Sequence, residues 1–306
     1  MNETALLINT ALASGTTLAL AALGLLVNER AGVLNLGAEG MMLVAAVAGF
    51  AAALTTGSDT LGFLAAAAAG AALAALFAGL VIFLNTNQYA TGLALSLFGY
   101  GLSAFLGVSM VGKSLSPRQT YEVPGLSDLP FVGPALFSHH PMVYVAIALA
   151  VAIAWFLYRT RAGLLLRAMG ENPEPAHALG YPVRLIRLGA VCVGGALCGL
   201  AGAYVSLVTA PLWVEGLTAG RGWIALALTV FATWRPARVL LGAYLFGGVT
   251  VLQLSLQAQG VAISSHLLTM LPYLATIVVL VLISRNPAFI RLNMPASLGK
   301  PFRPGS

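Results

Sequence analysis

Residues Gly107–Ser114 read GVSMVGKS and match G-x-x-x-x-G-K-[ST], the loop that cradles the phosphates of ATP. Such a loop follows a buried strand and opens a helix whose N-terminus faces the phosphates. Here the preceding residues 100–107 are typical of the end of a membrane helix, and Pro117 follows shortly after the motif. ATPases also need an Asp after an apolar strand for Mg²⁺, whereas Asp59 and Asp128 stand in polar turns. We interpret the match as coincidental, so any ATP used must be bound by another chain.

Other residues that carry chemistry are few. Cys192 and Cys198 are six positions apart in one apolar segment and point to different helix faces, so neither a disulfide nor a metal site is expected between them. His139 and His140 are adjacent, lack the spacing of a metal site and are expected to be exposed in a loop. No Ser/His/Asp or Cys/His arrangement is visible. The sequence therefore predicts no catalytic residues, no metal and no cofactor.

The composition is that of a polytopic membrane protein. Hydrophobic residues make up 59% of the 306 residues, the mean hydropathy is +0.92, and only 8% are charged, against about 25% in soluble domains. Such a chain has too few polar residues to cover a water-soluble surface. The net charge is +6 but no basic block is present, so a lipid membrane is expected as a partner and nucleic acid is not.

Eight apolar runs have the length of a membrane-spanning helix, about 17–25 residues, and a ninth is shorter. The runs lack the alternation of a β-barrel, so we predict a single all-α domain over residues 1–306. About nine transmembrane helices are expected, within a range of eight to ten. The long runs are 5–27, 33–56, 60–84, 89–108, 141–158, 187–209, 236–258 and 266–284, and the short run is Trp223–Trp234.

Positive charges predict the orientation of the chain. If all nine runs cross and the N-terminus lies outside, 12 of the 15 Lys and Arg residues fall on the cytoplasmic side. If the short run did not cross, the count would be 6 inside and 9 outside, so the rule favours a crossing that extends backwards towards Gly216. The C-terminus is then cytoplasmic. The connections are an external loop 109–140, a cytoplasmic loop 159–187 and a basic, loose cytoplasmic tail 285–306.

The cytoplasmic loop contains one short, well-capped helix. Asn172 is a good N-cap, Pro173 suits the first helical position, and Glu174 stands where the helix dipole favours a carboxylate. Gly180 can adopt the left-handed conformation that ends a helix, and Pro182 prevents its continuation. These signals predict a helix over Pro173–Leu179, and an ordinary connecting helix explains them equally well. Three flanking residues are expected to anchor it at lipid headgroups: Arg167, Arg184 and Arg187.

Three stretches carry a resemblance to a known family. The segment EPAHALG at Glu174–Gly180 resembles the E-A-A-x-x-x-G cytoplasmic loop of ABC-importer permeases and departs from it at Pro175. NERAGVLNLGAEGMML at Asn28–Leu43 and TAGRGWIALALTVFATWRPARVLLGAYLFGG at Thr218–Gly248 resemble permeases of nucleoside and simple-sugar importers, relatives of the ribose and branched-chain amino-acid permeases. The stretches lie in both halves of the chain, in the family's order and spacing.

The resemblance implies the translocation subunit of an ATP-driven importer in a bacterial inner membrane, which moves nucleosides or related sugars by alternating access. It implies three protein partners: an ABC ATPase subunit, a second permease that is commonly a distinct homologue, and an external substrate-binding protein. The short cytoplasmic helix would dock into the ATPase. The residues expected at this coupling loop are Glu171, Asn172, Pro173, Glu174, Ala176, His177 and Gly180.

The stretch at Asn28–Leu43 is a poor continuous helix because three glycines interrupt it. Glu39 is the only acidic residue well inside an apolar run, and a buried charge needs a partner. Two interpretations stay open: a structural carboxylate bonded to nearby amides or an Arg, and a direct contact with substrate. Interrupted helices also expose backbone that can line a pathway. The candidate pathway residues are Asn35, Glu39, Asn87, Gln253 and Gln257, and the candidates for docking a binding protein are Glu215 and Arg221.

An alternative function is a secondary transporter driven by an ion gradient, with Glu39 as the intramembrane proton or cation site.

A different pattern concerns helix packing, because small residues recur at four-residue spacing in two of the runs. They are Gly70, Ala74 and Ala78 in one run, and Gly195, Gly199 and Ala203 in the other. These faces could pack within the subunit or against a second permease.

Overall fold

The computed structural model of the chain describes residues 3–116, 132–259 and 293–303, together with isolated positions between these ranges. The described part is helical, with one two-residue strand pair, β1 (Tyr121–Glu122) and β2 (Ser138–His139), in the connection between two long helices. The helices are α1 (Glu3–Arg30), α2 (Ala38–Thr56), α3 (Asp59–Ala78), α4 (Gln88–Gly107), α5 (Val132–Leu136), α6 (Pro141–Arg159), α7 (Arg161–Glu171), α8 (Pro173–Ala178), α9 (Val183–Tyr204), α10 (Arg221–Phe231) and α11 (Pro236–Ala258).

Seven helices of the described residues are long and apolar enough to span a membrane. They coincide with seven of the predicted long runs, and α3 and α9 each continue through one π-helical turn, at Gly79–Phe83 and Val205–Thr209. The chain is therefore a polytopic helical membrane protein. The eighth predicted long run, 266–284, is described only at isolated positions, so the total of nine and the orientation of the termini stay predictions.

The helices α1, α2 and α9 form the centre of the bundle. About three quarters of each span is buried inside the protein (72%), against 28% for α4 and 33% for α6 and α11. A helix that is apolar on all sides can be buried among other helices or can face lipid, and α1 is mostly buried among other helices. The outer helices leave large apolar side chains uncovered, such as Leu97 at 73% and Phe105 at 76% exposure on α4. Such faces suit contact with lipid or with another membrane chain.

The two stripes of small residues pack against each other inside the subunit. A Cβ atom on Gly70 would lie 2.3 Å from the carbonyl oxygen of Gly195, and one on Gly195 would lie 2.2 Å from the Cβ of Ala74. A Cβ on Gly199 would meet the Ala66 carbonyl oxygen at 2.3 Å. The backbones of α3 and α9 thus approach too closely for any side chain, which is the packing that small residues allow in membranes.

We predict that Gly195→Ala destabilises the protein, because its methyl group has no space between α9 and α3. Overpacking of this kind costs about 1–3 kcal/mol. Gly189→Ala in the same helix is the matched control, since a Cβ there meets nothing within 4 Å and Ala favours helix over Gly by about 0.5–1 kcal/mol. Thermal unfolding in mild detergent should separate the two variants. Equal midpoints would contradict the packing described here.

The short run is only partly helical. The helix α10 has 11 residues, about 16 Å at 1.5 Å per residue, roughly half the apolar thickness of a bilayer. The expected helical extension towards Gly216 is wrong: residues 215–220 form turns, with positive φ at Gly216, Ala219 and Gly220. Turns replace helix here because Glu39 binds the backbone at Gly220, as described below.

Contacts show where this segment begins and ends. Leu212 forms a backbone bridge with Ser114, in the connection between α4 and α6. The same connection contacts Asn9 of α1, whose side-chain amide donates to the carbonyls of Pro134 and Ser138. At its other extremity, Trp234 contacts Arg30, whose carbonyl lies against Gly170 of α7. The segment 212–234 therefore runs from one end of the bundle to the end that carries α7 and α8, termed the α8 end below. It does so as irregular chain followed by a half-length helix.

The GVSMVGKS stretch has none of the structure of a phosphate-binding loop. Gly107 is the last residue of α4, residues 108–110 form a single 3₁₀ turn, and Ser114 makes an isolated bridge with Leu212. No helix begins at Lys113 or Ser114. The backbone of this stretch thus offers no cradle for phosphates, and the interpretation of the motif as coincidental stays a prediction.

The expected exposure of the two histidines is wrong. His139 is 2% exposed, and its Nε2 lies 3.1 Å from the carbonyl oxygen of Ala135. His140 is half-buried and caps α6, because its Nδ1 accepts a hydrogen bond from the Met142 backbone N–H. The connection folds back onto α1, which removes His139 from water, and this burial lowers the pKa of its imidazole below the ordinary value.

Candidate translocation and coupling sites

Glu39 joins the two interrupted spans. Its carboxylate is 1% exposed and lies in the first turn of α2. Oε1 accepts hydrogen bonds from Thr218 Oγ1 at 2.5 Å and from the Gly220 N–H at 2.8 Å, and Oε2 accepts one from the Gly222 N–H at 2.6 Å. These backbone donors belong to the start of α10, where a helix has unpaired N–H groups and a partial positive charge. The geometry is that of a structural carboxylate bonded to nearby amides.

The sequence TAGRG provides the backbone shape that this contact requires. Gly220 has φ +80°, a left-handed conformation that turns its N–H towards the carboxylate. A Cβ on Gly222 would come within 2.7 Å of the Glu39 backbone and side chain. Thr218 is fully buried and supplies the third donor. The stretch therefore forms the binding site for the Glu39 side chain, and each of these three residues is needed for a separate reason.

The other end of α10 is held by the same interrupted stretch. Trp234 Nε1 donates a hydrogen bond to Glu29 Oε2 at 2.5 Å, and the Arg30 guanidinium donates to the Trp234 carbonyl at 2.9 and 3.2 Å. Glu29 and Arg30 are 1% and 7% exposed. A half-length helix inside a membrane must have both of its ends satisfied by protein. Here Glu39 satisfies the beginning of α10, and the Glu29–Arg30 pair holds the turn that follows it.

The irregular chain between α1 and α2 is satisfied by polar side chains. Asn35 is fully buried, and its Oδ1 accepts from the Gly37 N–H at 2.9 Å. From α4, Gln88 accepts from the Leu34 N–H at 2.8 Å, and Ser96 donates to the Leu36 carbonyl at 2.8 Å. The predicted interruption of this span is thus confirmed, with residues 31–37 outside helical structure.

Asn87 and the two glutamines occupy different surroundings. Asn87 is exposed and caps α4, accepting hydrogen bonds from the Tyr89 and Ala90 N–H groups at 2.9 and 3.1 Å. Gln253 is 8% exposed and Gln257 is half-buried, one turn apart on α11. Contact of these residues, or of Asn35 and Glu39, with a transported molecule stays a prediction.

The capped helix of the 159–187 connection forms as predicted, one residue shorter at its end. Asn172 Oδ1 accepts from the Glu174 N–H at 3.1 Å, and α8 ends at Ala178. Gly180 has φ +85°, and its N–H donates to the His177 carbonyl at 2.9 Å. This is the left-handed glycine end that the sequence indicated.

The helix α8 has an exposed face and a buried one. Glu171, Asn172, Glu174 and His177 are exposed, and Leu179 is 77% exposed just beyond the helix. Ala176 is 6% exposed and packs with Met169, Val183 and Phe302. Of the predicted coupling residues, Ala176 therefore faces the permease body, whereas the four polar ones are open to a partner. Leu179 was missed because a single Leu in an apolar sequence carries no signal of its own.

Two expectations about charged residues near α8 are wrong. Arg187 does not reach lipid headgroups: it is 2% exposed, and its Nη2 donates to Ser297 Oγ at 2.9 Å and to the Met169 carbonyl at 3.3 Å. The tail is not loose over 293–303, because those residues pack across α7, α8 and α9. Both errors have one cause, since the tail covers the first turns of α9 and provides the partner for Arg187.

Comparison with known families decides the class of the chain. The family described as "branched-chain amino acid transport system / permease component" matches residues 7–283. The chain belongs to this family. The match covers both interrupted spans and α8, so the geometry above belongs to an ABC transporter permease.

Individual relatives cover nearly all of this permease. A putative glucose ABC transporter permease of Haloferax volcanii is 44% identical over 97% of this chain and 97% of its own length. A guanosine ABC transporter permease of Bacillus subtilis is 33% identical over 94% of this chain and 93% of its own. Each organism also has a second similar permease named for the same compound, at 27% identity over 75% of this chain and 26% over 72%.

The two residues predicted to dock a binding protein, Glu215 and Arg221, differ in their exposure to solvent. Glu215 is exposed in the turn before α10. Arg221 is half-buried at the first position of α10, and its Nη1 donates to the Leu217 carbonyl at 3.4 Å. Glu215 is thus an open rim charge, whereas Arg221 is tied to the turn that Glu39 binds. Their docking role stays a prediction.

Sequence reasoning missed Glu29 and Trp234 as site residues. The predicted apolar run 5–27 ends before Glu29, so the sequence places Glu29 and Arg30 in a connection. The signal that could have found them is the rarity of acidic residues: seven Glu are present in the chain, and two of them fall within one interrupted stretch. Such spacing in an apolar chain indicates two buried attachment points.

Proposed function

We propose that this permease is the translocation subunit of an ABC importer for nucleosides or related simple sugars, in a bacterial cell membrane. The names of its relatives, which specify glucose and guanosine, support this substrate class. The substrate would move by alternating access, as partner ATPase subunits close and open. The permease itself would catalyse no bond chemistry, and ATP hydrolysis would take place in the partner.

The observation that carries the proposal is the exposed, capped helix α8, which lies at the same end of the bundle as the contacts of Glu29 and Arg30 with Trp234, termed the α10 clamp. A six-residue helix has little stability of its own in water, so its caps and the packing of Ala176 hold its shape. Its exposed apolar side chain, Leu179, suits burial in a partner protein, and the exposed Glu174 could pair there with a positive charge of that partner. A partner that displaces α8 would move the adjoining ends of α7 and α9.

The substrate path is proposed to pass the two interrupted spans and α11. Asn35 and Glu39 would supply polar groups from the first interrupted span, and Gln253 and Gln257 would supply them from α11. Half-length helices and irregular chain at membrane depth occur where backbone lines a cavity or is buried in protein. Glu39 would act mainly by fixing the start of α10, because all three of its bonds go to protein donors. Asn87 would lie at the inner mouth of the path.

Further partners follow from the same reading. A second, homologous permease is proposed, since two organisms each have two permeases named for one compound. The uncovered apolar side chains of α4, including Leu97 and Phe105, are available for such a contact or for lipid. An external binding protein would deliver substrate at the opposite end, near Glu215 and Arg221. Charges at the rim would mainly guide its docking.

The test is reconstitution of the permease with and without its copurified partners. Liposomes that hold the permease, an ATPase subunit and a binding protein should concentrate guanosine or glucose when ATP is supplied on the ATPase side. Liposomes with the permease alone should not concentrate either compound. Uptake driven by a proton or sodium gradient in the permease alone would overturn the proposal in favour of a secondary transporter. The three hydrogen bonds that Glu39 accepts from protein donors disfavour that alternative.

A further inference from the structure

The chain segment Asn293–Arg303, termed the strap, crosses the α8 end of the bundle. Ser297 is 6% exposed at its centre. The Ser297 N–H donates to the Gly170 carbonyl at 2.9 Å, and its hydroxyl lies 2.7 Å from the same oxygen and 3.2 Å from that of Met169. Ser297 Oγ also accepts from Arg187 Nη2 at 2.9 Å. These bonds tie the strap to the last turn of α7 and to α9.

A second contact joins the strap to α8. Phe302 is 8% exposed and packs with Ala176, the buried residue of α8, and with Met169 and Val183. Its ring stands edge-on to the His177 ring, with centroids 5.6 Å apart, and the Arg187 guanidinium lies 5.9 Å from it. Without Phe302, the inner face of α8 would lose a large part of its apolar cover. The strap thus provides part of the surface against which α8 packs.

A third contact reaches the interrupted spans. Arg30, which clamps the Trp234 carbonyl, also donates from Nη1 to the Asn293 carbonyl at 3.2 Å. A Cβ on Gly32, in the irregular chain, would lie 2.4 Å from Ser297 Oγ. The strap therefore contacts α8 through Phe302 and contacts Arg30 of the α10 clamp through Asn293, so it connects these two sites.

We propose that the strap is part of the coupling machinery, with Phe302 and Ser297 as positioning residues that carry the movement of α8 to the interrupted spans. The proposal rests on the coupling function proposed for α8. Coupling between separate sites requires a contiguous set of packed and hydrogen-bonded groups. One such set contains Phe302, Arg187 and Ser297, which contact one another. The strap backbone at Asn293 joins this set to Arg30, and Arg30 binds the turn that follows α10. Glu39 holds the other end of α10.

The test compares strap variants of the whole complex in liposomes, with ATP hydrolysis and substrate uptake measured in the same sample. Phe302→Ala and Ser297→Ala should raise the ATP hydrolysed per molecule transported about fivefold or more, while the complex still assembles. Phe302→Leu should restore most of the coupling by restoring apolar cover. Lys300→Ala is the control, because Lys300 is exposed on the same strap. A wild-type ratio in both strap variants would overturn the proposal.

A distance measurement keeps the proposal testable if a variant loses activity altogether. Spin labels at Lys300→Cys and Pro175→Cys, in a Cys192→Ser background, would report the separation of two exposed sites on the strap and α8. In the wild type, one narrow distance should persist with and without ATP, because the two segments move together. Phe302→Ala should broaden it. The same distribution in both proteins would overturn the proposal, whereas absence of ATP-dependent uptake in the wild type would contradict the proposed function instead.

Discussion

Glu39→Ala is expected to destabilise the permease by at least about 3 kcal/mol and to abolish transport. The carboxylate is buried and accepts three hydrogen bonds, so its removal leaves three donors at the start of α10 without a partner. Each buried, unsatisfied donor costs about 1–3 kcal/mol. The hydrocarbon core of the bilayer contains no water that could replace these hydrogen bonds. Thermal unfolding in detergent and uptake in the reconstituted complex are the two measurements.

Glu215→Ala is the control, because this exposed carboxylate lies in the turn that leads to α10. Substitutions of exposed residues usually change stability by less than about 0.5 kcal/mol. Glu39→Gln distinguishes the possible roles of the carboxylate. One amide oxygen can still accept from Thr218 and Gly220, while the amide NH₂ faces the Gly222 N–H, so an intermediate loss of stability is expected. Full stability combined with complete loss of transport would instead indicate an ion or substrate site.

The local features of this permease were predictable from the sequence, because they depend on neighbouring residues. Asn172 and Gly180 signal the two ends of α8 through their own side-chain and backbone preferences, and the helix forms between them. Gly32 and Gly37 likewise favour an interruption, because Gly costs a helix about 1 kcal/mol relative to Ala, and Gly32 adopts a positive φ of +83°. The two small-residue stripes were recognised as packing faces. The sequence left undecided which helix packs against each stripe. Small residues indicate that another helix approaches closely, but they do not specify which one.

The contacts that hold α10 were beyond prediction because they join distant parts of the chain. Glu39 and Thr218 are 179 positions apart, and Glu29 and Trp234 are 205 apart. No local preference links such residues: the sequence shows that the buried Glu39 needs a partner, but not that Thr218 and the start of α10 provide it. The irregular chain before α10 was not predictable for the same reason, since the turns at 215–220 depend on the contact with Glu39 as well as on the local glycines.

Arg187 shows the same limitation at the α8 end. An Arg near the end of an apolar run usually reaches the lipid headgroups, and that was the expectation here. The strap lies 110 positions further along the chain and takes the guanidinium into a buried hydrogen bond with Ser297. Its packing could not be anticipated because the strap is short, rich in Pro and Gly, and without periodic apolar residues.

Gly180→Val is expected to reduce ATP-driven uptake by about tenfold or more while the permease stays folded. Gly180 has φ +85°, a conformation that a β-branched residue rarely adopts. The left-handed conformation costs non-glycine residues about 1–2 kcal/mol, enough to shift the end of α8, and about 1.4 kcal/mol corresponds to a tenfold change. The bonds at risk are Gly180 N–H to His177 and Tyr181 N–H to Ala176, which fix the exposed Leu179.

Gly57→Val is the matched control for this change. Gly57 also ends a helix, α2, with φ +70°, and a Cβ meets nothing within 4 Å at either glycine. The two variants should therefore lose similar, small amounts of stability in thermal unfolding. Only Gly180→Val should lower uptake and the amount of ATPase that copurifies, because only Gly180 adjoins the helix proposed to dock. Equal loss of uptake in both variants would attribute the effect to backbone strain in general, and the coupling role of α8 would then lose its support.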